Sequence, residues 1–453
     1  MASTQTATLL NPALLARLDE ARARTDSFFD LLPPNSLYER PVPERHRLIF
    51  YLGHLEAFDW NLLSRELGLV SEEAELDKLF AFGIDPVGGG LPSDEPGDWP
   101  AIGQVEQYIS RVRDRLDDAL RRARPSVLSA ASFTDQTLVN VAIEHRLMHA
   151  ETLAYLLHNL SLGKKIPGAP AVFDESPSPP CGQVAIPTGV ATLGRRHGPS
   201  TFGWDNEFNE QRIEVPQFSI DTFPVTNGEY LKFVQAGGYQ EPRYWEPQDW
   251  EWKARNHIEH PGFWLPRLPA PASESVSDPA ASWGYRAMFG DTSLPLSWPV
   301  YVSHAEASAF ARWANKQLPT EAQWHRAAYG TPQGDEREYP WGDAAPHARR
   351  GNFHYQSWDP MAVDMHPAGA SAFGVFDLLG NGWEWTSTRF SPFPGFKPFP
   401  FYPGYSADFF DGKHFVMKGG SPRTDSCMLR RSFRNWFQPH YPYVYATFRC
   451  VEE

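Results

Sequence analysis

Glu144-His145-Arg146-Leu147-Met148-His149-Ala150-Glu151 is the stretch from which the rest of the chain can be read. It sits in an apolar run with helical spacing over roughly 133–161, from Phe133-Thr134-Asp135 to Leu160. On an α-helix positions i and i+4 share a face, so the imidazoles of His145 and His149 can reach one metal ion. A pair at this spacing is more often a feature of core or surface than a metal site. It needs a third ligand, a pocket and a substrate.

Three further helical patterns precede it, over 8–31, 44–66 and 101–124, with a Gly-, Pro- and Asp-rich loop from about 80 to 100. The second shows Pro43-Glu44 as a start signal, then Leu48, Ile49, Leu52, Leu55, Phe58 and Leu62 at helical intervals. Four long helices joined by loops predict an up-and-down bundle, in which metal sites are built from facing side chains. His54, mid-helix among apolar neighbours, is the best third ligand. His46 is flanked by Glu44, Arg45 and Arg47 and is expected to be exposed, and His158 lies off the face of His149. Three neutral imidazoles suit iron or zinc and leave positions open for substrate. Glu151 is a candidate acceptor for the second nitrogen of a ligand imidazole.

Outside the bundle the pattern changes. Residues 163–183 are rich in Pro and Ser, with Ser176-Pro177-Ser178-Pro179-Pro180, and read as a linker between a helical domain at 1–162 and a second domain at 184–453. There, short alternating strands are predicted at 184–193 and 211–220, and helices at 227–236 and 303–317. The whole is an α+β protein whose second half is loop-rich and packed by rings: the chain carries 16 Trp, 30 Phe, 42 Pro and 34 Gly.

Composition narrows the functional classes. At 453 residues the chain suits two domains, and 42% hydrophobic with 21% charged residues describe a globular protein. A net charge of −14 argues against nucleic acid as the main partner, since phosphate binding needs a basic patch. No apolar run of about 18 residues predicts a membrane span. The start, Met1-Ala2-Ser3-Thr4-Gln5-Thr6, lacks the basic and apolar regions of a signal peptide. Cys181, Cys427 and Cys450 are scattered, which fits a reducing cytoplasm better than a disulfide framework.

The order Gly53-His54, then His145-x-x-x-His149-x-Glu151, then an aromatic second domain resembles the ergothioneine-type sulfoxide synthases, which join a DinB-like bundle to a formylglycine-generating-enzyme-like domain. The second half carries the likeness in Phe202-Gly-Trp-Asp-Asn-Glu207, Phe223-Pro-Val-Thr-Asn227 and Pro299-Val-Tyr-Val-Ser303. It continues in Leu318-Pro-Thr-Glu-Ala-Gln-Trp324, Gly380-Asn-Gly-Trp-Glu-Trp-Thr386, Gly419-Gly-Ser421 and Arg434-Asn-Trp436. The formylglycine-generating enzymes themselves bind copper with paired cysteines. Here only Cys427 and Cys450 lie in the second domain, so that oxidase reading fails. The resemblance implies Fe(2+) on His54, His145 and His149, with O2 and the histidine betaine hercynine as substrates. It assigns hercynine to Asn435 and Trp436, an amide for the carboxylate and an indole face for the quaternary ammonium.

Departures from the family pattern bear on the second substrate. Members that use γ-glutamylcysteine have an acid after the Asn-Trp pair and an arginine four further on; this chain has Phe437 and Tyr441. The arginines those enzymes carry in the loop after the second helix are missing from 80–100. Phe390 aligns with their catalytic tyrosine, for which Tyr441 or Tyr443 could substitute, and Met148 replaces a glutamine. Burying unpaired carboxylates is costly, so a neutral, hydroxyl-rich donor fits better than a dipeptide. Tyr38–His46, Phe50–Trp60 and Phe82-Gly-Ile-Asp-Pro86 are similar to the selenoneine synthases, the branch that joins hercynine to a selenosugar. The implied reaction is oxidative carbon–selenium bond formation at imidazole C2, giving a hercynyl selenoxide. The alternatives are a sulfoxide synthase using a thiol (cysteine or γ-glutamylcysteine), a DinB-type zinc thiol transferase, and a non-catalytic binding module.

Overall fold

The computed structural model describes residues 11–81, 91–123, 136–172, 177–198, 202–267 and 279–453. The expected helix starts at residues 8 and 133, and the segment Phe82–Pro86, lie outside the described residues. The chain divides into two compact units, 1–168 with 197–202, and 169–196 with 203–453. Helices dominate the first unit and short sheets with helices the second, so the fold class is α+β.

The first unit is built on α1 (Pro12–Phe29), α2 (Leu48–Leu63), α4 (Ile102–Leu120) and α5 (Thr137–Asn159), with a short α3 (Ala74–Leu79) that periodicity did not reveal. Helix α1 starts where Asn11 Oδ1 accepts from Ala13 N at 2.9 Å and Pro12 presets the first turn. On α4, Val105, Tyr108, Val112, Leu116 and Leu120 make one buried stripe. Helix α2 packs against both α4 and α5, and α1 packs against α5.

The second helix does not start at Pro43. Arg45 N bonds Val42 O at 3.0 Å and Leu48 N bonds Glu39 O at 3.0 Å, closing a turn instead. Arg47 anchors that turn on Tyr38 O at 2.7 Å and on Asp94 Oδ2 at 3.1 Å, so the Pro-acid signal is overridden by side-chain contacts. His46 is likewise half-buried and not exposed, its ring 4.2 Å from that of Phe50.

A buried charge network joins the helices. Arg146 on α5, fully buried, meets Asp59 at 2.7 Å and Glu56 at 2.8 Å on α2, and donates to Leu55 O at 3.1 Å. Arg113 on α4 bonds Glu56 at 2.6 Å and Asp26 of α1 at 2.7 Å. Such a network sets register, because a slip of one residue would strand a charge in the core.

In the second unit the two long strand expectations are each broken by proline. Pro187 separates β1 (Gln183–Ile186) from β2 (Gly189–Leu193), and Pro216 separates β3 (Gln211–Val215) from β4 (Phe218–Asp221). Strands β2 and β3 pair with each other, and β1-β4-β12 form a second sheet with β12 (Val451–Glu452). A third sheet holds β5 (Trp264–Pro266), β6 (Trp283–Ala287) and β7 (Gly290–Ser293). The fourth has the order β10-β9-β8-β11, with β8 (Gly382–Arg389), β9 (Phe415–Gly420), β10 (Asn435–Phe437) and β11 (Ala446–Thr447). Helices α6 (Asn227–Gln235) and α8 (His304–Trp313) fall within the expected spans, while α7 (Pro247–Arg255), α9 (Glu321–Tyr329) and α10 (Gly404–Ala407) were not foreseen.

The long motifs of this half are largely structural. In Gly380-Asn-Gly-Trp-Glu-Trp-Thr386, buried Glu384 bonds Arg449 at 2.6 Å and accepts from Trp324 Nε1 at 2.8 Å. Gly380 has φ +95°, and a Cβ there would lie 2.5 Å from Asn352 O. Cys450 is buried, and no disulfide joins Cys181, Cys427 or Cys450.

Candidate functional site

In the first unit α2 supplies His54, and one face of α5 supplies His145 and His149. All three are nearly enclosed, at 5%, 4% and 5% exposure. His149 Nε2 lies 3.2 Å from His54 Nε2 and 3.1 Å from His145 Nε2, and the three ligand atoms fall within 4.8 Å of one another. Among the described residues no other group of His, Cys, Asp or Glu converges in this way.

Hydrogen bonding does not account for this approach. His54 Nδ1 is 2.7 Å from Phe80 O, a carbonyl that can only accept, so the ring proton sits on Nδ1 and Nε2 carries a lone pair. His149 Nε2 can then donate to one neighbour but not both. A cation held between the three nitrogens would resolve the conflict. Separations of 3.1–3.2 Å put His149 Nε2 and each neighbouring nitrogen within reach of one ion bound at about 2.0–2.1 Å.

The electrostatics agree. Burial lowers the His54 pKa to about 4, and burial together with the neighbouring imidazoles holds His145 and His149 well below the usual histidine value. The rings are therefore neutral and basic at their lone pairs near pH 7. Aromatic rings fix them in place: Phe58 lies on His145 at 3.4 Å and 9°, and Phe50 on His54 at 4.8 Å and 23°.

Sequence reading missed the support behind these ligands. Phe80 closes α3 and gives its carbonyl to His54, while its ring covers Gly53, where a Cβ would lie 2.6 Å from the ring. The signal was present in Gly53 itself, a glycine inside an apolar helix beside a ligand. Arg146, between the two α5 ligands, is the other signal: a charge in an apolar run demands buried partners. The second-sphere role given to Glu151 is corrected. Neither Nδ1 of His145 nor Nδ1 of His149 has a hydrogen-bond partner, and a residue two after His149 points about 200° around the helix. Met148, between the two α5 histidines, is half-buried.

In the second unit β10 carries the segment read as substrate-facing. Trp436 lies flat on Phe390, at 4.1 Å and 7°, with Tyr405 and Phe409 at 5.5 and 5.6 Å. Phe390 is fully buried. Asn435 pairs with Met417, and its Oδ1 accepts from Trp436 N at 2.8 Å, leaving the amide nitrogen as a donor. Phe437 stacks on Tyr441 at 5.2 Å and 10°, and Tyr441 meets Tyr443 edge-on at 5.1 Å. The strand thus groups Trp436 with Phe390, and Phe437 with Tyr441 and Tyr443.

Comparison with known proteins gives relatives for both units. Residues 17–153 match the DinB superfamily, and residues 169–453 match the sulfatase-modifying factor enzyme 1-like domain. The chain is similar to the hercynine oxygenase of Mycolicibacterium thermoresistibile, 34% identical over 363 residues, covering 77% of this chain and 74% of that protein. The hercynine oxygenase of Mycolicibacterium smegmatis is 35% identical over 325 residues, covering 69% and 70%. Ergothioneine biosynthesis protein 1 of Neurospora crassa is 27% identical over 500 residues; the match takes in 93% of this chain and 56% of that longer protein.

Proposed function

The chain belongs to the hercynine oxygenase family, with its DinB and sulfatase-modifying-factor-like domains, and on that premise we propose that it oxidatively joins hercynine to a chalcogen donor. The new bond forms at imidazole C2 as the C2–H and chalcogen–H hydrogens are lost; O2 takes up four electrons, one of its oxygen atoms ending on the chalcogen of a hercynyl chalcogen oxide and the other in water. The observation that carries the reading is the convergence of three neutral Nε2 atoms within 4.8 Å.

His54, His145 and His149 would hold Fe(2+), which when bound supplies the activation of O2. The chain's own residues do the rest. Phe80 O keeps the proton on His54 Nδ1 and so presents the Nε2 lone pair. Phe50 and Phe58 exclude water beside the ligands and stop the rings from turning. Among the described residues β10 is an edge strand paired only with β9, and its Asn435, Trp436 and Phe437 are each partly exposed. Asn435 would donate to the hercynine carboxylate, and Trp436 would offer an indole to its trimethylammonium. Met148 and Phe390 are assigned to the substrate surroundings by the same resemblance. Tyr441, or Tyr443 beside it, is the phenol available to handle a proton where the family tyrosine is replaced by Phe390.

For the donor we favour a selenosugar. Phe437 and Tyr441 form a stacked pair where relatives using a dipeptide place an acid and an arginine, and uncharged rings suit a hydroxyl-rich partner. The relatives' names, hercynine oxygenase and ergothioneine biosynthesis protein 1, favour a second reading, ergothioneine-type coupling, for which the resemblance implies cysteine or γ-glutamylcysteine as donor. Iron-loaded protein incubated anaerobically with hercynine and one donor at a time, then exposed to O2, separates them by mass spectrometry. A selenosugar product formed at least tenfold faster supports the first reading; equal or faster coupling of γ-glutamylcysteine overturns it.

A further inference from the structure

The second unit holds a polar and aromatic cluster that the proposed reaction does not use. His440 lies between Phe437 and Tyr443. Its Nε2 is 2.7 Å from Oδ1 of Asp249, a nearly buried residue of α7. Its ring lies flat on Trp252, with centroids 4.7 Å apart and planes at 5°. Asp249 thus takes the Nε2 proton, and Nδ1 is the atom left to meet a ligand, on a side chain 29% exposed.

A second imidazole completes the cluster. His304, at the start of α8, is 7% exposed; its Nδ1 lies 3.5 Å from Ser308 Oγ and the Thr386 backbone bears on the ring, while Nε2 makes no hydrogen bond of ordinary distance and angle. It stacks on Phe415 at 3.7 Å and 19°, and Phe415 is the cross-strand neighbour of Phe437. Phe415 carries the Arg389 guanidinium over its ring at 5.0 Å, and Asp249 and His440 are among the charges that bear on His304. A buried polar nitrogen without a partner is costly and marks a place where a ligand group completes the bonding.

We propose that His440 and His304 recognise hydroxyl groups of the chalcogen donor, and that Asp249 excludes carboxylates. Ring nitrogens backed by flat aromatic faces meet the alternating polar and apolar surface of a sugar. The Asp249 charge directly behind His440 repels an anionic group approaching Nδ1, so selection combines an attractive and a repulsive element. This rests on the reading that residues 435–443 face the donor.

The test uses the full-length, iron-loaded chain with hercynine under anaerobic conditions, titrated calorimetrically with 1-thio-β-D-glucose and with γ-glutamylcysteine. His440→Gln retains an amide that can donate to Asp249 but has no outward ring nitrogen, so a role in docking the loop alone leaves binding unchanged. The expected result is a loss of about tenfold in sugar-thiol affinity, one hydrogen bond's worth, with hercynine affinity unaltered. Asp249→Asn should raise γ-glutamylcysteine affinity several-fold. Sugar-thiol binding within twofold of wild type in His440→Gln overturns the proposal, as does tighter binding of γ-glutamylcysteine than of the sugar thiol by the wild type. Failure of the wild type to couple either donor after O2 is added overturns the functional reading instead, and loss of sugar binding in His440→Gln would still uphold the site.

Discussion

At the scale of the residue, the proposed metal centre depends on which nitrogen of each imidazole carries the lone pair. His54 is set by one carbonyl, Phe80 O, and that carbonyl is in turn set by a ring resting on Gly53. Gly53→Ala should push the Phe80 ring aside and tilt the carbonyl away from His54. The expected effect is a loss of about 10- to 100-fold in iron affinity, the scale of other outer-shell changes, read by chelator competition. An unchanged affinity with a lowered melting point would mean that Gly53 matters for packing alone. His149 was legible from its spacing to His145, and His54 from its place in an apolar helix. Phe80 was not, because a backbone carbonyl leaves no mark in sequence and its contact spans 26 residues.

Elements are held in register by charges that periodicity treats as errors. Arg146, Glu56 and Asp59 interrupt apolar faces, yet together they clamp α2 to α5 beside the metal ligands. Removing one partner leaves the others buried and uncompensated, so Arg146→Met should cost about 3–5 kcal/mol in urea unfolding. A change below about 1 kcal/mol, the scale of an exposed pair, would show the network to be dispensable. In the second unit, burial pushes the Asp377 carboxyl up to about 8, against the opposing pull of Asn381 and Arg449. An unfolded aspartate titrates near about 4. Between those values the folded chain binds the proton more tightly, so stability should fall as pH rises through that window. Asp377→Asn should flatten this slope, measured from urea midpoints at pH 6 and pH 8.5; an unaltered slope would place the titration elsewhere. Helix α9 was readable in hindsight. Thr320 Oγ1 accepts from Gln323 N at 3.1 Å and Gln323 returns the bond, a capping box written plainly in Thr320-Glu-Ala-Gln323. The turn at 41–47 was not readable, because distant Asp94 decides it.

For the molecule as a whole, the bundle was more legible than the second unit. Long amphipathic helices announce themselves by a repeat within the sequence, whereas strands of two to eight residues owe their existence to partners far along the chain, as β12 does to β4. Resemblance, not periodicity, carried the reading of that half, and the motifs that carried it are mostly its framework, with Glu384 and Arg449 at the centre. The central proposal is that iron held by the three histidines of the first unit drives coupling of hercynine. The most direct measurement is O2 uptake with product mass spectrometry on Fe(2+)-loaded protein given hercynine and a selenosugar or thiol, set beside His149→Ala prepared identically. The account expects hercynine-dependent O2 uptake and a hercynyl oxide in the wild type, and in the variant less than about 1% of that rate, beyond the 10²-fold loss of a single general acid or base. A wild type that binds zinc in preference to iron and consumes no O2, or a His149→Ala variant that couples hercynine at the wild-type rate, would contradict it.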